Sequence, residues 1–450
     1  MRQTFPFAPL RPGTGVRRVL GAAVPILLLV AVGLAPTVSA GADPADPTVP
    51  SDPPTTVATT EPPAVAPVAL PAAPSSSPIV SWGTARAGST SKAQRVNAVV
   101  VSGGVTYFGG AFTQLVGPGK QTASRSRLAA VDATTGNLLA WDPHADGAVW
   151  SMELSPDGHS VYVGGDFKHI AGRSTGRLAK VDLVTGQPDP GFKNPVSSGR
   201  VRALKLDGDR LYAGGEFTKL GGQPRPKLGA VDPLTGAVLP WTPPPLGPGR
   251  YLTHTGIPTP DYSPGHVFSI AVIGGKVFAS GNFLNFAGQG GLVTLDATTG
   301  ALADPQYHPG RPVFDLDSSG GVLYAVGGGP GGRGWAFSPD AAKPLWTANF
   351  DGDAVGVVAS ANIVYIAGHY DYIVGKDSSC YQYCPGGPTR HHLSAFTTAG
   401  GQLVDWNPTA DTSTGPETIA LGPNAVYVGG EFNKINGKAQ PGIAIFPGAP

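Results

Sequence analysis

Two sets of residues have the types and spacing to do chemistry. The first is the row Asp166, Glu216, Asn282, His369 and Glu431. Each follows a pair of small residues and precedes an aromatic one, so all hold one position of a recurring segment. Carboxylates lined up this way could serve as acid and base or hold a cation. Arg127, Arg177, Lys227, Gly291 and His392 recur a short distance downstream, and where the acid becomes Asn282 the base is lost to Gly291. That co-occurrence predicts structural pairs across a hairpin, Asp166 with Arg177 and Glu216 with Lys227, in place of a catalytic row.

The second set lies in 369–392: His369, Asp371, His391 and His392, with the chain's two cysteines, Cys380 and Cys384. Histidine, cysteine and aspartate ligate zinc, but four ligands must converge. Two cysteines alone in an oxidising compartment close on each other instead. The expectation is a Cys380–Cys384 disulfide, with no metal and no cofactor. No G-x-S-x-G elbow, Walker loop or H-E-x-x-H helix occurs, so no catalytic residue is assigned.

The elements that must position these residues are short strands. Residues 201–243 hold four apolar runs (201–206, 211–217, 228–231 and 237–241), each too short for a helix and bounded by turn residues. Labelled a to d, they form one antiparallel unit. Strand b recurs as TYFGGAF, VYVGGDF, LYAGGEF, VFASGNF, LYAVGGG, VYIAGHY and VYVGGEF. The second small residue falls at Gly110, Gly165, Gly215, Gly281, Gly328, Gly368 and Gly430, at steps of 55, 50, 66, 47, 40 and 62. Strand d recurs through Trp141, Phe192, Trp241, Tyr307, Trp346 and Trp406. A four-stranded unit with this period cannot bury both faces alone and must stack on its copies, as propeller blades do. The seventh copy has no strand d after it, whereas Ile79-Val80-Ser81-Trp82 precedes the first copy without strands of its own. This N-terminal strand is expected to complete the last blade and close the ring.

The repeat resembles the delta-60-type β-propeller repeats of secreted bacterial proteins. It carries V-Y-V-G-G-[DE]-F, R-L-A-x-V-D, T-G and W-x-P, with Asp132, Asp182, Asp232 and Asp296 followed by Gly136, Gly186, Gly236 and Gly300. The resemblance spans about 79–450. It implies a propeller and export, and it implies no activity. The D-x-x-T-G turns are also similar to those of pyrroloquinoline quinone dehydrogenases. Here, however, glycine to tryptophan is five residues (Gly136 to Trp141), one more than the docking pattern. One residue reverses the side-chain face of a strand.

Location and organisation follow from the N-terminus and the composition. Arg2, Arg11, Arg17 and Arg18 precede an apolar stretch at 19–35 and a Val38-Ser39-Ala40 cleavage site. The expectation is a signal peptide at 1–40, a Pro/Ala/Thr-rich disordered linker at 41–77, and an all-β, seven-bladed propeller of four-stranded antiparallel blades at 78–450. Basic and acidic residues balance at 31 and 30, which gives no bulk attraction to nucleic acid. No membrane span is expected in the mature form, and the protein is expected to be a monomer.

The b–c and d–a loops share one face of such a ring, and both large insertions fall there. One, at 244–264, carries Arg250, Tyr251, His254 and Tyr262. The other, at 373–392, carries Tyr381, Tyr383, Arg390 and His391. Loops on a rigid scaffold are where function concentrates. The expected function is a non-catalytic binding or scaffold module at the cell surface or outside the cell, taking through these residues an extracellular ligand that the sequence does not identify, glycan or cell-wall material being the class considered. The alternative is an extracellular glycan hydrolase or lyase acting on the same face.

Overall fold

The computed structural model describes residues 72–84, 94–193, 196, 198–252, 258–260, 265–284, 290–329, 331–374, 387–411 and 415–448; of 250–252, 258–260 and 284 the backbone alone is described. The expected signal peptide, nearly all of the expected linker, His254, Tyr262, Tyr381, Tyr383, Cys380 and Cys384 lie outside these residues. Among the described residues there is no α-helix, only one 3-10 turn at Pro118–Lys120. No helix among them is long and apolar enough to cross a membrane. The described residues are all-β, and residues 67–450 form one compact unit.

Within that unit, seven sheets in succession share one order, with strand b between strands a and c. The first is Val96–Ser102, Val105–Gly110 and Leu128–Asp132; the third is Val201–Asp207, Arg210–Gly215 and Leu228–Val231. The remaining a strands are Val149–Leu154, Val267–Ile273, Val313–Ser319, Ala354–Ala359 and Pro416–Gly422. Each a strand lies against the next, and Pro416–Gly422 lies against Val96–Ser102. Seven apolar layers fill the spaces between neighbouring sheets. Tyr107 and Leu128 meet Val149 and Val163 in one, and Tyr427 and Ile443 meet Val96 and Phe108 in another.

Glycine pairs make this stacking close enough to be dry. A Cβ on Gly164 would sit 2.7 Å from Val201 Cγ1, and one on Gly429 would sit 2.7 Å from Val96 Cγ1. The equivalent atoms on Gly109 and Gly214 would strike Val149 and Val267. The first glycine therefore admits the valine that begins strand a of the next sheet. The second lies over the loop carbonyl before its own strand a, as Gly215 does over Arg200. Aromatic latches add direction. Trp141 Nε1 donates to Asp182 O (3.1 Å) and Trp241 Nε1 to Asp296 O (3.0 Å), while Tyr162 Oη donates to Pro233 O (2.7 Å) and Tyr212 Oη to Ala297 O (3.0 Å). Each bond runs from one repeat to a later one.

Strand d departs from expectation. In most repeats it is one antiparallel bridge, such as Val131 to Leu138 or Val231 to Val238, and not a full ladder. Pro188, Pro190 and Pro240 interrupt it, and proline at a sheet edge removes ladder donors. The exception is the fifth repeat, the poorest match in sequence, where Pro344–Phe350 pairs along Gly332–Phe337. The N-terminal segment takes the edge of the seventh sheet: Ile79 N donates to Ile445 O (2.9 Å) and Ser75 N to Pro447 O (2.8 Å). Its continuation, Gly83–Thr84, pairs with Gln114–Val116 of the first repeat.

Candidate functional site

A channel runs along the a strands, and the site is built from a defect repeated in all of them. Every a strand has a bulge after its first residue, seen as register shifts at Val96/Ala98, Val149/Ser151, Val201/Ala203, Val267/Ser269, Val313/Asp315, Ala354/Gly356 and Pro416/Thr418. A bulge re-aims a side chain out of the ladder. Here it brings one residue from each repeat to the channel: Asn97, Trp150, Arg202, Phe268, Phe314, Val355 and Glu417. They are half-buried and chemically unlike one another. At the end where the d–a loops enter, Asp353 and His369 join them around a cavity of about 320 Å³.

Fixed contacts organise this mouth. The Arg202 guanidinium carbon lies 4.5 Å from the Trp150 ring centroid and 5.7 Å from that of Phe268. Its Nε holds Glu216 Oε1 at 2.6 Å. Arg95 lies 4.8 Å from the same tryptophan and 3.8 Å from Glu417 Oε1. His369 Nε2 is also 3.8 Å from Glu417 Oε1. Burial pushes the Glu417 carboxyl above its ordinary range, with Arg95 and His369 opposing, and burial holds the His266 imidazole below its own. Nε1 of Trp150 and Nε2 of His369 are buried without a hydrogen bond among the described residues.

Deeper in the channel the side chains tie neighbouring a strands together. An a strand is the inner edge of its sheet, so its backbone groups lack a ladder partner on that side. Asn97 Nδ2 donates to Val149 O (2.8 Å), Glu153 Oε1 accepts from Leu206 N (3.2 Å), Asp315 Oδ2 from Val357 N (3.0 Å) and Asp317 Oδ2 from Ala359 N (2.8 Å). Desolvation raises Glu153 and Asp317 and pushes Asp315 up to about 7. These acids hold the channel wall, and the described residues contain no cluster of three or more metal-ligating groups.

Of the acid row, His369 lines the mouth and Glu216 reaches it through Arg202, but the partners of the acids differ from those expected. Glu216 pairs with Arg202 and with Arg200 (3.5 Å), and Asp166 pairs with Arg200 (3.6 Å). Lys227 instead donates to Leu246 O (3.0 Å) and Gly247 O (2.7 Å). The reason lies in the backbone. Lys227, Arg127 and His392 have φ of 70°, 69° and 75°, a left-handed turn that directs the side chain away from the strand b acid. Strand a takes that acid instead, because Glu216 N is bonded to Arg200 O (2.9 Å). The D-x-x-T-G turns behave as structure: Asp232 Oδ1 accepts from Leu234 N, Thr235 N and Thr235 Oγ1, and Gly236 has φ of 75°.

The described loop residues are spread over two places. Arg250–Leu252 pairs with Pro258–Pro260 in a hairpin whose neighbour, Gly249, bridges Phe283. Arg390 is fastened to Thr389 O (2.9 Å) and lies 3.5 Å from Val404 O, just as Arg125 bonds Ser124 O and Leu139 O in the first repeat. His391 Nδ1 is 2.7 Å from Asp371 Oδ1, half exposed at the rim. Sequence reasoning missed the channel residues. Their signal was a position that varies freely between a valine and a small residue, as in Val149-Trp150-Ser151 and Val201-Arg202-Ala203.

Comparison with known proteins agrees with the fold class. Residues 156–192 match the family model of a β-propeller domain of unknown function, DUF5122. Among solved structures, the computationally designed Ika8 protein aligns with TM-score 0.47 and 11% identity over 83% of this chain and 100% of its own. BamB from Moraxella catarrhalis aligns with TM-score 0.42 and 17% identity over 74% of this chain and 82% of its own. A comparison with curated proteins finds no match. The family match is to a β-propeller domain of unknown function, and what this chain binds has to be argued from its own site.

Proposed function

We propose that residues 78–450 are a seven-bladed propeller, closed by the N-terminal strand, acting outside the cell as a non-catalytic binding module. The ligand is taken on the face of the b–c and d–a loops. One observation carries this reading: the seven bulges place seven different side chains at a single concave mouth on that face. A scaffold built by repetition would otherwise carry like residues there. The mouth's cations are already engaged, Arg202 with Glu216 and Arg95 with Glu417, as in a preorganised binding surface. The loop residues Arg250, Tyr251, His254, Tyr262, Tyr381, Tyr383, Arg390 and His391 extend the surface, with Cys380 and Cys384 pinning the second loop as a disulfide. Export through a cleaved 1–40 signal and a spacer at 41–77 completes the proposal, and N-terminal sequencing of culture-medium protein should read from Gly41.

The second reading is a glycan hydrolase or lyase at the same mouth. It is favoured by Glu417, a carboxyl that burial raises toward the protonated form a general acid needs. The two readings separate by experiment. Full-length protein is tested for retention on glycan arrays and isolated cell-wall material, and for release of product from the same materials. Retention without product supports the binding module. Product release that is lost in Glu417→Gln overturns it in favour of the enzyme.

A further inference from the structure

We infer that the mouth of the axial channel takes one ring of a neutral, polyhydroxylated sugar, an inference that rests on the loop face being a binding surface. The wall of the mouth has two unlike arcs. Phe268, Phe314 and Val355 come from three consecutive repeats and form an apolar arc, with the two phenyl rings 6.0 Å apart and tilted by 46°. The polar groups follow it round the wall: Asp353 and His369 belong to the same repeat as Val355, and Glu417 and Asn97 come from the seventh and first repeats. A pyranose has the same division: one face of C–H groups and a rim of hydroxyls, each both donor and acceptor. The apolar face gains by burial against the phenyl rings. The rim meets two carboxylates, an amide and an imidazole.

Two further observations narrow the ligand. The arginines at the mouth are already engaged: Arg202 lies 2.6 Å from Glu216, and Arg95 lies 3.8 Å from Glu417. An anionic ligand would have to displace one of these partners, whereas a neutral one leaves both in place. The volume, about 320 Å³, suits one ring with part of a second.

The test titrates purified full-length protein with cello-, malto- and xylo-oligosaccharides, and with oligogalacturonate as the charged comparator. Heat and tryptophan fluorescence are followed. At least one neutral series should bind, with a change in fluorescence, and oligogalacturonate should not. Phe268→Ala should weaken binding by about tenfold or more, and Phe268→Leu, which keeps apolar bulk and protects the fold, by less. Glu417→Gln should weaken it several-fold with the melting temperature kept. Absence of binding by every neutral sugar, tighter binding of oligogalacturonate, or sugar binding indifferent to both Phe268→Ala and Phe314→Ala overturns the inference. If binding is instead lost on deletion of 244–264 alone, the mouth is overturned and the binding-module reading stands. If a sugar is bound and then cleaved, with Phe268→Ala abolishing both, the sugar site stands and the non-catalytic reading falls.

Discussion

Asp315 and Asp132 are the same residue type with opposite responses to folding. Asp315 is enclosed by the channel wall, and desolvation pushes its carboxyl up to about 7. Asp132 sits in a solvent-facing turn, where Thr135 and Thr134 hold its carboxyl below its ordinary value. The consequences for stability have opposite signs. Between the unfolded carboxyl range and pH 7, folded Asp315 binds a proton that the unfolded chain has lost, so stability falls as pH rises through that window. The depressed acids Asp132, Asp182 and Asp232 contribute stability above the unfolded carboxyl range, and it is lost as pH falls toward their folded values. The Asp315 contribution should therefore make the melting temperature higher at pH 5 than at pH 7.5, against His266 and His392, whose lowered imidazole values act in the opposite direction over the same window. Asp315→Asn should flatten that difference, and an unchanged slope in the variant would remove Asp315 as its source.

At the scale of elements, the glycine pairs and the aromatic latches set how closely sheets approach. Gly164→Ala places a methyl 2.7 Å from Val201 Cγ1 and should destabilise by about 1–3 kcal/mol through overpacking. Gly400→Ala, where no atom lies within 4 Å, should be nearly neutral. Chemical denaturation of the two variants checks the contrast, and equal costs would mean that the sheets are not in contact at the glycines. Trp241 is fully buried and stands edge-on to Tyr212 with centroids 5.1 Å apart. Trp241→Phe removes its bond to Asp296 O and should cost about 1 kcal/mol, whereas Trp241→Ala should cost about 3–5 kcal/mol. The fifth sheet shows why sequence similarity is a poor guide to an element. It matches the repeat least and has the most complete ladder, because its outer strand, Pro344–Phe350, has no proline after the first residue.

For the molecule as a whole, the N-terminal segment is a second tie between the two ends of the repeat array, beside the direct packing of the seventh sheet on the first. Trp406 Nε1 lies 3.3 Å from Ser75 O, Asn436 Nδ2 donates to Ser76 O (2.8 Å), and Gln440 Nε2 donates to Ser81 Oγ (2.7 Å). Ile79 and Trp82 also pack on the apolar layer shared by the first and seventh sheets. A chain starting at residue 90 should therefore melt well below one starting at residue 72, and it should associate through its uncovered edge. Equal melting temperatures by calorimetry would show that the seventh sheet does not need the strand.

Local chemistry was legible in the sequence wherever one residue dictates one backbone state. The strand b landmark located the middle strand of each sheet, Asp232 to Gly236 located a turn, and Ile79 to Trp82 stood out as a segment without a sheet of its own; it runs along the seventh sheet through single backbone bonds, while the strand itself forms at Gly83–Thr84 against the first repeat. These follow from periodicity and turn geometry, which depend on neighbours along the chain. The channel residues left only a faint mark in the sequence, a variable position between a valine and a small residue in several repeats, because a bulge that shifts the side-chain alternation by one residue does not say where the side chain goes. Read without the bulges, Trp150, Arg202 and Phe268 are three unrelated side chains on three strands; the tertiary structure brings them to one mouth. The same holds for Glu216, whose partner is fixed by the left-handed turn at Lys227 and by the approach of Arg202. The sequence by itself determined the all-β repeat and its punctuation, since those are written in residues a few positions apart. Only the tertiary structure decided which side chains share the axis, because that depends on how residues about fifty positions apart stack upon one another.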